Sequence, residues 1–289
     1  MIKIHHLNCG SMCPVGGRLM DGFSKGFTSY LACHCLALET DQGLVLIDTG
    51  FGTEDVVRPL SRLSGLFINL NNIKFDMEHT ALRQLERLGF QREDVRHIVL
   101  THLDFDHAGG ISDFPSARVH VISSELEAAR NASTWLAQKR YRHQQWEMEK
   151  NWVTYNASGE KWFGFESVRN LEGLPPEILM VSLIGHTRGH AGIAIHTADG
   201  WLLHAGDAYF YRGEMDPDHY HCTPGLRFYQ RMMEVDRNAR LNNQRRLREL
   251  IKSHNEVQIF SAHDALEMLK YAPSESIQPH PSSQGLAWT

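Results

Sequence analysis

The chain has 289 residues, enough for one large core or two small ones. Hydrophobic residues make up 42% and charged residues 22%, which excludes wholesale disorder. A formal net charge of −5 argues against nucleic acid as a partner, and the lack of any apolar run near the roughly 20 residues that span a bilayer argues against a membrane.

The opening "MIKIHHLNCG" has no apolar signal core of the secretory type, so a cytoplasmic location is expected. Five cysteines, Cys9, Cys13, Cys33, Cys35 and Cys222, are an odd number in a large chain, which does not suggest a disulfide framework. The first four could form a zinc knuckle, but "ACHCLALET" alternates as a strand, where buried free cysteine is common. That strand turns at Asp41-Gln42-Gly43 into a second, Leu44 to Ile47, a continuous apolar run that ends in Asp48-Thr49-Gly50. After a variable stretch from Thr53 to Asp76, "MEHTALRQLERLGF" places Ala81, Leu82, Leu85 and Leu88 at helical spacing, with Gly89 as C-cap.

"DVRHIVL" is the next strand, followed by "ARVHVIS" and a helix from about Ser124. Residues 131 to 170 carry Trp135, Trp146, Trp152 and Trp162 and read as a mostly helical insertion, packed on the body or serving as a lid over a pocket. Strands return in "EILMVSLIG", "AGIAIHT", "WLLHAGDA" and "VQIFSAHD". Between the last two lies a long arginine-rich helical segment, read as a solvated face because acidic residues interleave. One domain over residues 1–271 is expected, with a Ser- and Pro-rich tail at 272–289 that is loosely ordered unless it docks on a second subunit of a homodimer.

The chemistry lies at the ends of the strands. Asp48, His102, His186, Asp207 and His263 each follow an apolar strand-like run, and layered α/β folds place ligands at the carboxyl ends of strands. In "THLDFDHAGG" a continuing strand would put residues 102, 104 and 106 on one face and His107 on the other. The chain must therefore turn near Asp106 for all four to converge, and Gly109-Gly110 permits it. With the distant His186, Asp207 and His263 in matching positions, the set reads as a metal site.

This pattern resembles the metallo-β-lactamase superfamily, from about Tyr30 to Asp264, through "LIDTG", "THLDFDH", "GHTRGH", "GDA" and "SAHD". The wording looks closest to the lactonase-like branch, which includes enzymes that open acyl-homoserine lactones. The resemblance implies an α/β fold, an αββα sandwich, and a metal-dependent hydrolase acting on a small-molecule substrate, a lactone or ester. Thioester and phosphodiester hydrolysis are alternatives within the fold, and a di-iron-type oxidoreductase or a non-catalytic metal-binding protein outside it. It also implies two divalent ions, zinc favoured over manganese or iron. His102, Asp104, His186 and Asp207 would hold the first, and Asp106, His107, His263 and the same Asp207 the second. Water held between the ions would supply a hydroxide nucleophile, with Asp106 as proton acceptor. Asp48, His190 and Asp264 would orient the ligands and fix their loops.

Two positions depart from the pattern. The superfamily has histidine where this chain has Asp104, so three carboxylates would face two ions, or a single ion if Asp104 does not ligate. A histidine placed at 104 is expected to keep the fold and hold zinc at least as tightly. Lactonases of the branch also use a tyrosine three residues after the bridging aspartate to meet the substrate carbonyl. Here that residue is Phe210, flanked by Tyr209 and Tyr211, either of which could substitute.

Overall fold

Two sets of largely apolar strands, one from each half of the chain, pair into two sheets in the computed structural model, which describes residues 2–272. The strands are β1 (Lys3–Met12), β2 (Leu31–Thr40), β3 (Gly43–Ile47), β4 (Ile73–Lys74), β5 (Val95–Val99), β6 (Arg118–Ile122), β7 (Trp152–Tyr155), β8 (Glu160–Trp162), β9 (Phe165–Val168), β10 (Ile178–Ser182), β11 (Ala191–Thr197), β12 (Gly200–His204) and β13 (Val257–Phe260). The first sheet runs β4-β1-β2-β3-β5-β6-β7, antiparallel from β4 to β3 and parallel from β3 to β7. The second runs β13-β12-β11-β10-β9-β8, antiparallel except for the parallel pair β12 and β13.

The inner faces meet in one apolar layer, where Leu36, Val45, Ile47 and Val99 of the first sheet pack with Ile178, Met180, Ile193 and Phe260 of the second. Helices cover the outer faces. Leu82 and Leu85 of the helix Ala81–Arg87 sit on the first sheet, and Leu247 and Leu250 of the helix Arg237–Ser253 on the second. The molecule is thus the αββα sandwich expected, and the strands that precede Asp48, His102, His186, Asp207 and His263 (β3, β5, β10, β12 and β13) deliver their carboxyl ends to one edge. Among the described residues no helix is long and apolar enough to cross a membrane. The expectation of a loosely ordered tail at 272–289 falls, beyond Ala272, outside the described residues.

Two local readings are corrected. The 131–170 insertion is not mostly helical: it has one helix, Trp135–Arg140, a 3-10 turn at His143–Gln145, and then β7, β8 and β9. Its β-branched and aromatic residues extend existing sheet edges, and Phe163-Gly164, both at positive φ, make the tight turn between β8 and β9. Trp146 meets Trp152 edge-on and Trp162 is buried, while Trp135 is 62% exposed. The arginine-rich segment is two helices, Pro224–Met233 and Arg237–Ser253, because Asp236 caps the second through the Ala239 N–H. The break is anchored on the Gly185 carbonyl, which accepts from the Val235 and Asp236 N–H groups. The N-terminal stretch is a ten-residue strand whose partners, β2 and β4, are distant in sequence.

Buried histidines outside the site set an acid limit on the fold. His120 lies between His97 and the Tyr155 hydroxyl, each 2.8 Å away, and burial, with His97 adding to it, lowers its pKa to about 3. Burial and His204 lower His6 to about 4. Both imidazoles regain an ordinary value near 6.5 on unfolding, so their contribution is complete above that pH and is lost as pH falls toward 4 and 3. The urea midpoint should therefore decline below pH 6.5, and His120→Gln should make that decline shallower.

Candidate metal centre

The turn demanded by the sequence is present: the Asp104 carbonyl accepts from the N–H groups of both His107 and Ala108, which folds the motif back on itself. Asp48 fixes its geometry. One oxygen accepts from the Thr101 backbone N–H and the other meets Thr101 Oγ1 at 2.7 Å and His107 Nδ1 at 2.8 Å. Burial works against this carboxylate, but His107 holds it below the usual range. His107 is thereby locked with Nε2 toward the centre. His263 is locked in the same way by its Nδ1 on the Ala32 carbonyl at 2.7 Å.

Asp207 stands in the middle. Its Oδ2 lies 3.3 Å from His186 Nε2 and 3.7 Å from His102 Nε2, and its Oδ1 lies 3.3 Å from His107 Nε2 and 3.1 Å from His263 Nε2. Asp104 Oδ2 completes the first group at 3.0 Å from His186 and 3.4 Å from His102. Asp106 Oδ2 joins the second at 3.6 Å from His263. An ion held tetrahedrally at 2.0–2.1 Å separates its ligands by about 3.3–3.4 Å, so both groups have the spacing such an ion requires. His102 Nε2, His107 Nε2, His263 Nε2 and Asp207 Oδ1 are buried without a hydrogen-bond partner. Buried polar atoms left unpaired in this way cost stability unless a ligand takes them up. The residues present therefore fit divalent cations.

The carboxylates govern the local charge. Burial opposes protonation of His107, yet Asp207 and Asp48 pull its pKa well above normal, and Asp207 raises that of His263 against its burial. His102, facing other histidines, is lowered by burial to about 4. The donors are almost closed from solvent, and Asp106, at 5%, is the most open.

The other expected residues fall outside the two groups. His190 donates from Nδ1 to the Leu183 carbonyl and accepts at Nε2 from the Asp207 backbone N–H, so both nitrogens are used in fixing the Asp207 loop. Gly206, at φ +53, lets that loop pass: a Cβ there would sit 2.7 Å from His190 Nε2. Asp264 caps the helix Ala265–Met268 and binds Arg212. Tyr209, Phe210 and Tyr211 are each engaged within the protein. The Tyr209 hydroxyl is spent on buried Glu267, the Phe210 ring stacks on His263 at 4.9 Å, and Tyr211 packs in a core cluster with Met12 and Leu226. The cysteines form no knuckle: all five are buried and free. Cys33 instead offers its sulfur beside Asp106 and His263.

Three residues that matter gave no sequence signal. Glu125 accepts from the N–H groups of Leu103 and Gly189 and so ties the loops of His102 and His186 together. Tyr229, buried against Phe210, has a hydroxyl pushed well above its ordinary pKa by burial and then by the charges of Asp106, Asp207 and Asp104. Arg140 reaches in from the insertion and grips Asp104 with two parallel bonds, Nε to Oδ1 at 2.7 Å and Nη2 to Oδ2 at 2.5 Å. A cavity of about 500 Å³ is lined by Glu127, Asn131, Arg188 and Arg140 itself, and by none of the seven donors.

A model described as the metallo-beta-lactamase superfamily matches residues 29–263. A probable metallo-hydrolase of Mycobacterium tuberculosis is 41% identical over 264 residues, 91% of this chain and 80% of that protein. An N-acyl homoserine lactonase of Bacillus thuringiensis is 26% identical over 264 residues, 91% of this chain and 93% of its own. Among solved structures, an N-acyl homoserine lactone hydrolase with N-hexanoyl-L-homoserine bound at its catalytic metal centre superposes with a TM-score of 0.70 at 22% identity, covering 94% of this chain and 97% of that one. A dizinc quorum-quenching lactonase superposes at 0.61 and 16% identity, covering 91% and 87%. At these identities the structural likeness speaks for the fold.

Asp48→Asn removes the anion that orients His107. Zinc affinity, read by chelator competition, should fall about 10–100-fold with the fold retained.

Proposed function

The chain belongs to the metallo-beta-lactamase superfamily, and from that membership and the geometry of its centre we propose a metal-dependent hydrolase that opens a small lactone or ester using two divalent ions, zinc foremost. One observation carries the reading: two groups of inward-facing donors share the single carboxylate of Asp207, and four of their atoms, His102 Nε2, His107 Nε2, His263 Nε2 and Asp207 Oδ1, are buried without a hydrogen-bond partner. His102, Asp104 and His186 would hold one ion and His107, His263 and Asp106 the other. Bound there, the ions supply Lewis acidity toward a carbonyl oxygen and make water a nucleophile near neutral pH.

The protein does the rest. Asp106 lies at the most open point of the centre, which suits it to receive a proton there. Tyr229 packs edge-on against Phe210 and is kept protonated by burial and by the charges of Asp106, Asp207 and Asp104, so its hydroxyl would donate to the substrate carbonyl oxygen. Phe210 and the other apolar neighbours of His263 exclude bulk water. The lactone preference is supported by the 26% identity to an N-acyl homoserine lactonase across nearly the whole of both chains.

The test is metal analysis joined to a panel of lactones, esters, thioesters and phosphodiesters, with zinc-dependent turnover expected among the first two. Turnover confined to phosphodiesters would contradict the carbonyl reading. Tyr229→Phe should lower kcat/KM about 10–100-fold while zinc content stays unchanged.

A further inference from the structure

The one ligand position at which this chain departs from its superfamily is also the one held by a buried cation. Asp104 and Arg140 are each nearly fully buried, and their bidentate contact is the only ion pair a guanidinium makes with the donor groups among the described residues. Arg140 is anchored outside the centre: its Nη1 donates to the Met233 carbonyl at the end of the helix Pro224–Met233, and its own helix starts from a Thr134 cap. Its Nη2 also donates to His186 Nε2 at 2.8 Å, a bond that gives way when an ion takes that lone pair. Asp104 Oδ2 meanwhile keeps the 3.0 and 3.4 Å separations from His186 and His102 that an ion requires.

Charge explains the pairing. Three carboxylates, Asp104, Asp106 and Asp207, set against two divalent ions leave one positive charge fewer than two carboxylates would. The Arg140 guanidinium supplies that missing charge, so the centre has the formal charge it would have with a histidine at 104 and no arginine. We propose that Asp104 and Arg140 act as one neutral ligand unit, in which the guanidinium balances the extra carboxylate and aims its Oδ2 at the first ion. Arg140 is a positioning residue in this account, and the inference rests on the two-ion reading above. It also reverses the expectation for Asp104→His. Alone, that change buries an unpaired guanidinium beside an ion, which repels the ion and strands the cation.

The experiment compares full-length wild type, Asp104→His, Arg140→Met and the double variant, with zinc counted by mass spectrometry, affinity read by chelator competition, and melting measured with zinc and after stripping. Wild type should hold two zinc ions. Asp104→His should hold one of them about 10–100-fold more weakly, and adding Arg140→Met should restore it to within about 3-fold of wild type. Arg140→Met alone should lower the melting temperature of the stripped protein by about 10 °C more than that of the loaded protein, because an ion can take over the neutralisation of Asp104. Equal losses in both states would reduce Arg140 to a packing role and overturn the proposal. So would Asp104→His binding zinc as tightly as wild type. One zinc ion in wild type and two in Arg140→Met would also overturn it, by showing that the guanidinium fills an ion's place. A wild type that binds no zinc, manganese or iron would instead defeat the hydrolase reading itself.

Discussion

Everything at this edge of the molecule is arranged around the carboxylate of Asp207. Four imidazole nitrogens converge on it, two on each oxygen, at 3.1 to 3.7 Å. That convergence rests on strands from both sheets ending at the same level, and on two of the histidines and the Asp207 loop being kept from turning away. Asp48 holds His107, the Ala32 carbonyl holds His263, and His190 holds the Asp207 backbone itself. The apolar layer between the sheets keeps these strand ends in register, so the stability of the sandwich and the geometry of the centre are one problem.

The donors were legible in the sequence because they obey a repeated local rule, a polar cluster after an apolar run, and because the turn at Asp106 follows from strand periodicity. Arg140, Glu125 and Tyr229 obey no such rule. Each reaches the centre from an element distant in sequence, and an arginine in "AQKRYRH" looks like any solvated helix residue until its buried partner is seen. The insertion was misread for a related reason. A tryptophan-rich stretch with polar residues between suits a helix as well as an edge strand, and only unfilled hydrogen bonds at the margins of both sheets decide for strands. The long arginine-rich segment failed at its middle, where Asp236 is an unremarkable acid in sequence and a helix cap in space.

The insertion does more than widen the sheets. Its one helix ends at Arg140, and through that residue the insertion reaches the donor groups. Asp104 is paired with a guanidinium from the insertion, so the two regions meet although 36 positions separate the partners. Phe210 packs on His263 and edge-on against Tyr229 of a neighbouring helix, whose hydroxyl is pushed well above its ordinary pKa by burial and then by the charges of the three aspartates.

Anomalous diffraction at the zinc edge from crystals of the zinc-loaded protein tests the account most directly. Two peaks are predicted, one on each side of the Asp207 carboxylate, with Asp104 Oδ2 within about 2.2 Å of the first and Arg140 still paired to Asp104. A single peak beside Asp207 Oδ1, with the guanidinium where the other ion should be, would contradict it.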